Sequence, residues 1–410
     1  MVRIKEISPD SFTDFAATHP LSNFHQSINY ALVMAENGYE YDCIAYVDSD
    51  NSIVAASLIL HKKIGILGEY GYCPRGFLID YTNRSLLKNF TYDLKKYYYR
   101  KGFIFIKINP EIAIGEVNKD YKIDYNQNTD IIKSLEYLGF KPLKRNLYFE
   151  SILPKFNAIL TLGDYSLKKV SKHTRNKINK GMRRGLQLEV GNRDSIDILY
   201  NFIKNKKEKS LLYYKDYYNV FHKKDLIDVL LVKINSAEYL LQSKKNYEKE
   251  LDRNSTLAEK LVENSNQKIL NLKMQSDINL ATYKEEMIDA TKNYGNRKED
   301  IYIAGAIVIK HNNRVNIYIS GYDKSFEKFV PNYFLHHSIF EYYKKEFKYA
   351  DLNGMSGDFS KDSPYYGLNK FKEGFHPHIY EFIGEFDLII EKRSYNALIN
   401  NGALAKEFNK

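Results

Sequence analysis

The sequence contains no tryptophan, only two cysteines and only nine prolines among 410 residues. Two thiols, Cys43 and Cys73, are too few for a disulfide framework or a cysteine-rich metal site. No stretch approaches the length of a transmembrane helix, and the first residues, MVRIKEISPDSFTDF, lack the apolar run of a signal peptide. We therefore expect a cytoplasmic protein, and its hydrophobic fraction of 44% is large enough for folded cores.

Several motifs that carry chemistry are also missing. The sequence has no Walker phosphate-binding loop and no nucleophile elbow around a serine. His336 and His337 are adjacent and cannot share one helix face, and His376 and His378 lack sulfur or carboxylate partners at ligand spacing. The sequence therefore predicts no metal site.

Positive charges exceed negative charges by ten, which favours polyanionic partners such as nucleic acid, nucleotides or an anionic membrane face. Many of these cations lie in the segment 165–185, YSLKKVSKHTRNKINKGMRRG. In a helix, they would surround most of the surface and leave one apolar stripe of Leu167, Val170, Ile178 and Met182. Such a helix is either a solvated element on a core or a surface that binds RNA phosphates.

A chain of this length is too long for one core, so two or three domains are expected. Hydrophobic periodicity predicts helices at 24–40, 85–102, 130–140, 165–185, within 194–209 and around 332–348. It predicts strands at 103–110, 156–162, 349–355 and 378–386, and hairpins at 42–63 and 300–323. Both halves run helix, hairpin, helix, strand, which predicts two mixed α/β domains of similar design.

Residues 236–295 differ in kind, because they contain no proline and no internal glycine. Apolar residues recur at helical spacing between charged and amide residues, namely Tyr247, Leu251, Ala258, Leu261 and Leu272. A thin apolar seam on an otherwise polar helix is typical of a coiled coil. The sequence ENSN at 263–266 would reverse the chain and give two antiparallel helices. Such an arm would be a spacer or a dimerisation element.

Six segments in order along the chain resemble the Fem (FemABX) family of non-ribosomal peptidyl aminoacyltransferases, and its FemA-like members most closely. They are NFHQSINYALVMAENGYE (23–40), PRGFLIDY (74–81), FIKINPEI (105–112), RNKINKGMRRGLQLEV (175–190), YISGYDKSF (318–326) and YADLNGMSGDFSKDSPYYGLNKFKEGFHPHIYEFIGEFD (349–387). The resemblance implies an α/β (α+β) fold of two GNAT-like domains with an antiparallel coiled-coil arm inserted in the second. The implied divisions are 1–150, 151–235 with 299–390, the arm 236–298, and a C-terminal tail helix at 391–410.

The resemblance implies transfer of Gly, Ala or Ser from aminoacyl-tRNA to the stem-peptide side-chain amine of a peptidoglycan precursor. That acceptor is lipid II or its UDP-linked precursor, so the protein would act at the inner face of the membrane, as a monomer, a homodimer or a heterodimer with a similar enzyme. Because the tRNA ester is already activated, no cofactor is expected. The enzyme must place an amine against the ester, remove a proton and stabilise an oxyanion.

The resemblance also assigns site residues. Lys372, in GLNKFKEGF, and Asn109 occupy catalytic positions, with Lys370 expected to point outward at a loop-to-strand junction. The substrate-binding residues it implies are Phe371, Tyr318, Tyr213, Tyr217 and Arg75. For tRNA, the predicted contacts are Lys172, Arg175, Lys177, Lys180 and Arg183.

Three charged positions of the family are replaced in this chain. A cleft lysine corresponds to Met34, the aspartate of a "DP" pair corresponds to Asn109, and an arginine corresponds to Leu212 or Tyr213. Asn109 cannot act as a carboxylate base. The replacements indicate either a different acceptor, with Arg75, Lys215 or Asp216 supplying charge, or a catalytically degenerate scaffold in a cell-wall complex.

A second alternative is an N-acyltransferase that uses acyl-coenzyme A. Such enzymes bind pyrophosphate through a glycine-rich turn at a helix N-terminus, commonly R/Q-x-x-G-x-G/A. That string does not occur in this sequence, in which RRGLQL is the nearest basic and glycine-containing piece. Its absence argues against the coenzyme A alternative.

Overall fold

The computed structural model describes residues 3–65, 68–144, 147, 152–205, 209–264, 266–297 and 299–408. Their strands are β1 (Arg3–Glu6), β2 (Glu40–Val47), β3 (Ile53–Ile64), β4 (Gly68–Cys73), β5 (Phe103–Ile108), β6 (Ala113–Val117), β7 (Ile123–Tyr125), β8 (Phe140–Pro142), β9 (Phe156–Thr161), β10 (Leu186–Gly191), β11 (Ile227–Ile234), β12 (Ile301–His311), β13 (Arg314–Tyr322), β14 (Tyr349–Met355), β15 (His378–Phe382) and β16 (Phe386–Ile389).

The α-helices of the same residues are α1 (Pro9–Thr18), α2 (Ile28–Glu36), α3 (Arg84–Arg100), α4 (Thr129–Tyr137), α5 (Lys172–Arg183), α6 (Ser195–Ile203), α7 (Leu211–Phe221), α8 (Ser236–Glu263), α9 (Gln267–Tyr294), α10 (Pro331–Tyr343), α11 (Tyr366–Glu373), α12 (Lys392–Asn400) and α13 (Ala403–Phe408). Short 3₁₀ helices lie at Phe24–Gln26, Leu162–Asp164, His222–Lys224 and Lys324–Phe329. Among these helices, none is both long enough and apolar enough to span a bilayer.

The strands form two sheets that repeat one pattern. The seven-stranded sheet has the order β1-β2-β3-β4-β5-β16-β8, and the nine-stranded sheet has the order β10-β11-β12-β13-β14-β9-β15-β6-β7. In each sheet, four antiparallel strands are followed by a parallel one, reached through a helix: β4–α3–β5 in the first sheet and β13–α10–β14 in the second. The predicted similarity of the two halves is thus visible in their topology.

The two sheets exchange strands. β6 and β7 follow strands of the first sheet in sequence but belong to the nine-stranded sheet, in which β6 pairs with β15 and β7 pairs with β6. Conversely, β16 leaves the second sheet and lies between β5 and β8 of the first. One hydrophobic core is continuous across the halves and contains Leu58 of β3 together with Val229 of β11. The domain boundaries given by the sequence stay a prediction.

The arm consists of the antiparallel helices α8 and α9. Its seam differs from the predicted one, because Leu251 and Leu272 are 43% and 39% exposed. Leu257 and Ala290 are buried, but polar groups share the seam with them: Ser276 Oγ donates to Glu250 Oε1 at 2.7 Å, and Asn254 Nδ2 donates to Ser276 Oγ at 3.2 Å. At the base of the arm, Tyr239 of α8 and Tyr294 of α9 pack against each other and against Phe329 of the body.

The predicted single helix at 391–410 is two short helices, α12 and α13. The chain breaks at Gly402, whose φ of +70° is unfavourable for residues with a side chain. Both helices pack on the seven-stranded sheet. Tyr395 Oη donates to Asp387 Oδ2 at 2.7 Å, and the Phe408 ring lies 5.1 Å from the Tyr70 ring.

Candidate active site

The parallel pair β13 and β14 opens partway along its length. It is in register only where Arg314–Asn316 lie opposite Tyr349–Asp351. Beyond that point Asn353 adopts a φ of +66°, a left-handed conformation that asparagine tolerates better than most residues. Asn353 Nδ2 then donates to the carbonyl oxygen of Tyr318 at 3.2 Å. A side-chain amide therefore bridges the strands where their backbones separate.

Lys372 contacts this opening from α11. Its Nζ donates to the carbonyl oxygens of Asn353 at 3.1 Å and Gly354 at 2.6 Å, and the residue is only 7% exposed. The predicted loop-to-strand junction is wrong, because residues 366–373 are helical. Lys370 does lie further outward, with a side chain 38% exposed and paired with Glu373.

Phe371 points into a core rather than beside Lys372. Its ring lies 4.9 Å from Tyr333, 4.8 Å from His336 and 5.4 Å from Phe375. On a helix, successive residues are rotated by about 100°, so neighbours face different surroundings. The aromatic contact of Phe371 with substrate stays a prediction that this packing does not favour.

Tyr213, Tyr217 and Tyr318 form one cluster. The Tyr213 and Tyr318 hydroxyls are 3.1 Å apart, and the Tyr217 and Tyr318 rings stack at 4.7 Å. Burial raises the pKa of all three phenols, so they are neutral at physiological pH. Lys209 Nζ lies 5.0 Å from the centre of the Tyr213 ring. A cation therefore stands beside one position where the family has an arginine.

Met34 and Leu212, two positions where the resemblance implies a charge, are apolar, and Lys215 and Asp216 on α7 are charged residues that could compensate for them. Met34 is half-buried against the core, and Leu212 is 63% exposed. Lys215 Nζ is paired with Asp197 at 2.7 Å, and Asp216 has a pKa raised by burial and then by Glu36.

Arg75 and Asn109 are in direct contact in the first half. Asn109 Oδ1 accepts a hydrogen bond from the Arg75 backbone nitrogen at 2.8 Å, and its Nδ2 donates to Tyr72 Oη at 3.1 Å. The Arg75 side chain is buried, with Nη2 donating to the Pro154 carbonyl at 3.2 Å. Both residues line a cavity of about 670 Å³.

A buried ionic network that the sequence did not predict connects these groups. Arg314 forms an ion pair with Glu111, and its Nη1 lies 3.9 Å from Asp351 Oδ2. Burial alone would raise the pKa of Glu111, but Arg314 and then Arg75 outweigh it and lower that pKa. Burial raises the pKa of Asp351, and Arg314 only partly offsets the effect. Asp351 Oδ1 also accepts from the Asn353 backbone nitrogen at 2.7 Å.

The network thus runs from Lys372 and Tyr318 through Asn353 and Asp351 to the first half. Glu111 and Asp351 lie within FIKINPEI and YADLNG, segments that carry the family resemblance, so that signal was available. Arg314 begins β13 directly after the hairpin turn and has no comparable signal.

His311 lies beside the network and makes stability depend on pH. Its Nε2 is 2.9 Å from Ser22 Oγ. Burial and then Arg314 lower its pKa to about 4, against the opposing effect of Glu111. Because the folded pKa lies below the unfolded value of 6.5, the stabilisation is complete above pH 6.5 and is lost as pH falls towards 4.

Between pH 7 and pH 5, we expect His311→Gln to lose less unfolding free energy than the parent loses. Glutamine keeps a polar partner for Ser22 but does not titrate. The difference at pH 5 should be on the order of 2 kcal/mol. Urea denaturation at pH 7 and pH 5 measures it. His173→Gln, at an exposed position of α5, is the matched control. An identical acid loss in both variants would contradict the assignment.

Helix α5 presents most of the predicted tRNA contacts at the surface. Lys172 is exposed, and Arg175, Lys177, Lys180 and Arg183 are half-buried. Burial, and next the charge of Arg184, lowers the pKa of Lys180. Arg183 is also engaged with the arm, since Nη2 lies 3.3 Å from Glu286 and its guanidinium 4.6 Å from the Tyr283 ring.

The apolar side of α5 differs from the predicted stripe, because α5 begins at Lys172 and leaves Leu167 and Val170 outside the helix. Met182 is 47% exposed, whereas Ile178 is fully buried. Gly181 takes the contact position instead, because a Cβ there would lie 3.1 Å from Phe334 Cβ of α10. Close approach of the two helices thus requires the glycine and rotates Met182 outward.

The FemAB family model matches residues 7–400. The chain is 27% identical to aminoacyltransferase FemA of Staphylococcus epidermidis over 416 residues, covering 96% of this chain and 98% of that protein. It is 26% identical to FemA of Staphylococcus aureus over 425 residues, covering 97% of each. The crystal structure of FemX superposes with a TM-score of 0.75 at 22% identity, covering 97% of this chain and 99% of that one. The predicted fold class and family resemblance are confirmed.

Proposed function

Because this chain belongs to the FemAB family, we propose that it transfers an amino acid from aminoacyl-tRNA to the stem-peptide amine of a peptidoglycan precursor. The donated residue would be Gly, Ala or Ser, and the acceptor lipid II or its UDP-linked precursor. A lipid-linked acceptor would bring the protein transiently to the inner face of the membrane, where its net charge of +10 favours anionic lipid.

One observation supports the proposal above the others. Lys372, Tyr318 and Tyr213 are far apart in sequence but are joined through Asn353 by two hydrogen bonds of 3.1 and 3.2 Å and a hydroxyl contact of 3.1 Å. A fixed cation with ordered phenols is an arrangement suited to binding diphosphate or a developing oxyanion.

The chemistry requires a proton acceptor, because an acceptor lysine has a pKa near ~10.4 and is protonated at neutral pH. Asn109 cannot supply one. We assign this task to Asp351, which accepts a hydrogen bond from the Asn353 backbone nitrogen beside the opening at 2.7 Å and whose pKa burial raises above that of an ordinary carboxylate. The amine would lose a proton to Asp351 and attack the ester carbonyl. The C–O bond to the tRNA would then break, and the ribose oxygen would take up the second proton that the attacking nitrogen loses and leave as a hydroxyl.

The experiment that tests the function is a panel of charged tRNAs against lipid II and the UDP-linked precursor, with products identified by mass. We expect one amino acid to be added to one acceptor. No product with any combination would contradict transfer.

The same panel tests the scaffold alternative, for which there is a specific observation. Both ends of the Asn109 amide are engaged by Arg75 and Tyr72, and Met34 contributes no charge. A scaffold would bind tRNA or precursor without turnover. Retention on immobilised coenzyme A, with turnover of an acyl-coenzyme A, would instead identify an acyl-coenzyme A enzyme.

We further propose that α5 binds the phosphates of the tRNA acceptor arm. Lys172 and Lys177 have no carboxylate partner among the residues that the structure describes, so their charge is available to a polyanion. Such binding requires charge and little base recognition.

We expect a variant with Lys172→Glu, Arg175→Glu and Lys177→Glu to bind tRNA more weakly. The slope of log affinity against log salt should flatten by about 0.7–0.9 for each lost phosphate contact. Filter binding across a salt series measures it. A variant with Lys88→Glu, Lys96→Glu and Arg100→Glu, all exposed on α3, changes the net charge equally and should keep the parent slope. Equal salt slopes in the two variants would show that α5 does not bind the tRNA phosphates.

A further inference from the structure

The cavity of about 670 Å³ lies beside β5 and β16, and Lys372 is not among the residues that line it. Lys107 of β5 and Asp387 of β16 do line it, and they form a buried ion pair of 2.7 Å. A second lining pair joins Lys155 to Glu381 at 3.0 Å. Pockets of this volume are of the size that holds small organic molecules. The cavity is therefore a candidate binding site in its own right.

Glu385 differs from the other two carboxylates in the cavity wall, because it has no ion-pair partner within the part of the chain that the structure describes. Its Oε1 accepts a hydrogen bond from the Ile152 backbone nitrogen at 2.7 Å, and the residue is half-buried. Burial raises the pKa of Glu385, and the charge of Lys107, which is already paired with Asp387, offsets that rise only in part. A positively charged ligand would stabilise this carboxylate.

Two exposed lysines, Lys141 and Lys144, also line the cavity. Neither forms an ion pair with a described residue, and Lys141 Nζ lies 5.5 Å from the centre of the Tyr395 ring. Most of the remaining lining side chains are apolar, Phe382 and Ile383 among them. The cavity therefore suits a ligand that combines an ammonium group, a largely apolar or aromatic body and phosphates.

We propose that the cavity binds the aminoacyl-adenosine end of the donor tRNA, with the α-ammonium of the amino acid on the Glu385 carboxylate. This inference rests on the proposed function. The ester to the terminal ribose leaves the α-amine of Gly, Ala or Ser free to carry a positive charge. The adenosine would lie against the apolar lining, and Lys141 and Lys144 would contact phosphates of the unpaired 3′ end.

The chemistry of transfer favours the donor over the acceptor as the occupant. The acceptor also carries an ammonium group and phosphates, but its amine must lose a proton before it attacks. A carboxylate that stabilised this ammonium would oppose that loss. The α-amine of the donor takes no part in the reaction and can stay charged throughout.

The cavity adjoins the network that contains the proposed base. Asn157 Nδ2 donates to Asp351 Oδ2 at 3.2 Å, and Asn157 of β9 lies opposite Tyr380 of β15. Glu381, the next residue of β15, belongs to the cavity wall. Neighbouring strands of one sheet thus carry the contact to the base and the wall of the cavity.

Two adenosine compounds test the proposal without any turnover. Both have an amide in place of the labile 3′ ester, and one carries a glycyl group whereas the other carries an acetyl group, which lacks the ammonium. Isothermal titration of the full chain measures their affinities. We expect the parent to bind the glycyl compound at least tenfold more tightly, as is typical of a hydrogen bond between charged groups. Glu385→Gln should bind the two compounds about equally.

Glutamine is chosen because its carbonyl oxygen can still accept from the Ile152 nitrogen, so the local fold should be kept. Glu136→Gln, at an exposed position of α4, removes the same charge outside the cavity and should keep the parent preference. Urea denaturation compares the stability of the two variants. The preference of the parent for the glycyl compound decides the matter even if Glu385→Gln does not fold.

An extended glycyl compound, with two cytidines on the 5′ side of the adenosine, tests the lysines. The extension should raise the affinity of the parent several-fold at low salt. It should give no gain in a variant with Lys141→Glu and Lys144→Glu, because the added phosphates would meet carboxylates. An equal gain in parent and variant would remove the lysines from the proposal.

Equal affinity of the parent for the glycyl and acetyl compounds, or no binding of either, would overturn the assignment of the cavity. A tenfold preference that persists in folded Glu385→Gln would overturn the role of Glu385. These outcomes are separate from failure of the proposed function. A parent that prefers the glycyl compound but yields no product with any charged tRNA binds the donor end without transfer, whereas product formation without this preference would disprove the cavity assignment alone.

Discussion

Replacing Lys372 with methionine is expected to lower single-turnover transfer by roughly thirty- to a thousandfold, which corresponds to about 2–4 kcal/mol for a lost charged contact in a partly dried site. The same change should lower the free energy of unfolding by about 1–3 kcal/mol. The stability loss follows from the two carbonyl oxygens, of Asn353 and Gly354, that Lys372 Nζ bonds in a buried position. Once these carbonyls lose their donor, Asn353 is no longer held where its side chain reaches Tyr318.

Lys370→Met is the control for this experiment, because Lys370 lies on the same helix. It loses an ion pair with Glu373 at 2.7 Å that is partly exposed, and such pairs contribute little. Transfer should be measured well below both melting temperatures and expressed per folded molecule. If Lys372→Met loses stability but keeps the parent rate, the ammonium has only a structural role. Equal transfer rates in the two variants would show that Lys372 does not take part in the site.

Replacing Arg314 with methionine is expected to cost about 3–5 kcal/mol of unfolding free energy, the largest effect on stability among these predictions. The change leaves Glu111 buried without its ion-pair partner and removes the cation nearest Asp351. Glu111 follows β5 of the first sheet and Arg314 begins β13 of the second, so the lost pair connects the two sheets.

A double-mutant cycle separates the pair from its surroundings. Arg314→Met with Glu111→Gln should be more stable than the sum of the single changes predicts, because the second substitution neutralises the buried charge that the first one leaves. Urea denaturation gives the free energies. Lys133→Met is the matched control, since the Lys133 and Asp130 side chains are 81% and 61% exposed. An Arg314→Met loss as small as that of Lys133→Met would show that the buried pair is not a major contributor.

Local pattern was sufficient for most elements that depend on short-range interactions. The hairpin β12–β13, the helix α3 and the strand β5 lie within one or two residues of their predicted bounds. In these segments, periodicity, a closing glycine and a polar turn reflect forces that act within a few residues. The reversal between α8 and α9 was likewise predicted from four polar residues.

The site was predicted less completely, and Lys372 and Phe371 show why. Family resemblance identified both positions, but the two residues are neighbours on a helix rather than at a loop-to-strand junction. The Lys372 ammonium therefore donates to backbone carbonyls, whereas the Phe371 ring packs in a core. Their surroundings depend on the left-handed bend at Asn353 and on α10, neither of which neighbouring sequence specifies. Arg314 was missed because its partners, Glu111 and Asp351, are distant in sequence.

The sequence by itself determined the α/β class, the helical arm, the basic character of α5 and the family to which the chain belongs. Tertiary structure alone decided that β6 and β7 join the second sheet while β16 returns to the first. It also decided that polar groups share the seam of the arm and that α9 exposes several large apolar side chains. The physical reason is that periodicity specifies which residues share a face of an element, whereas the partner of that face is chosen by contacts between distant segments.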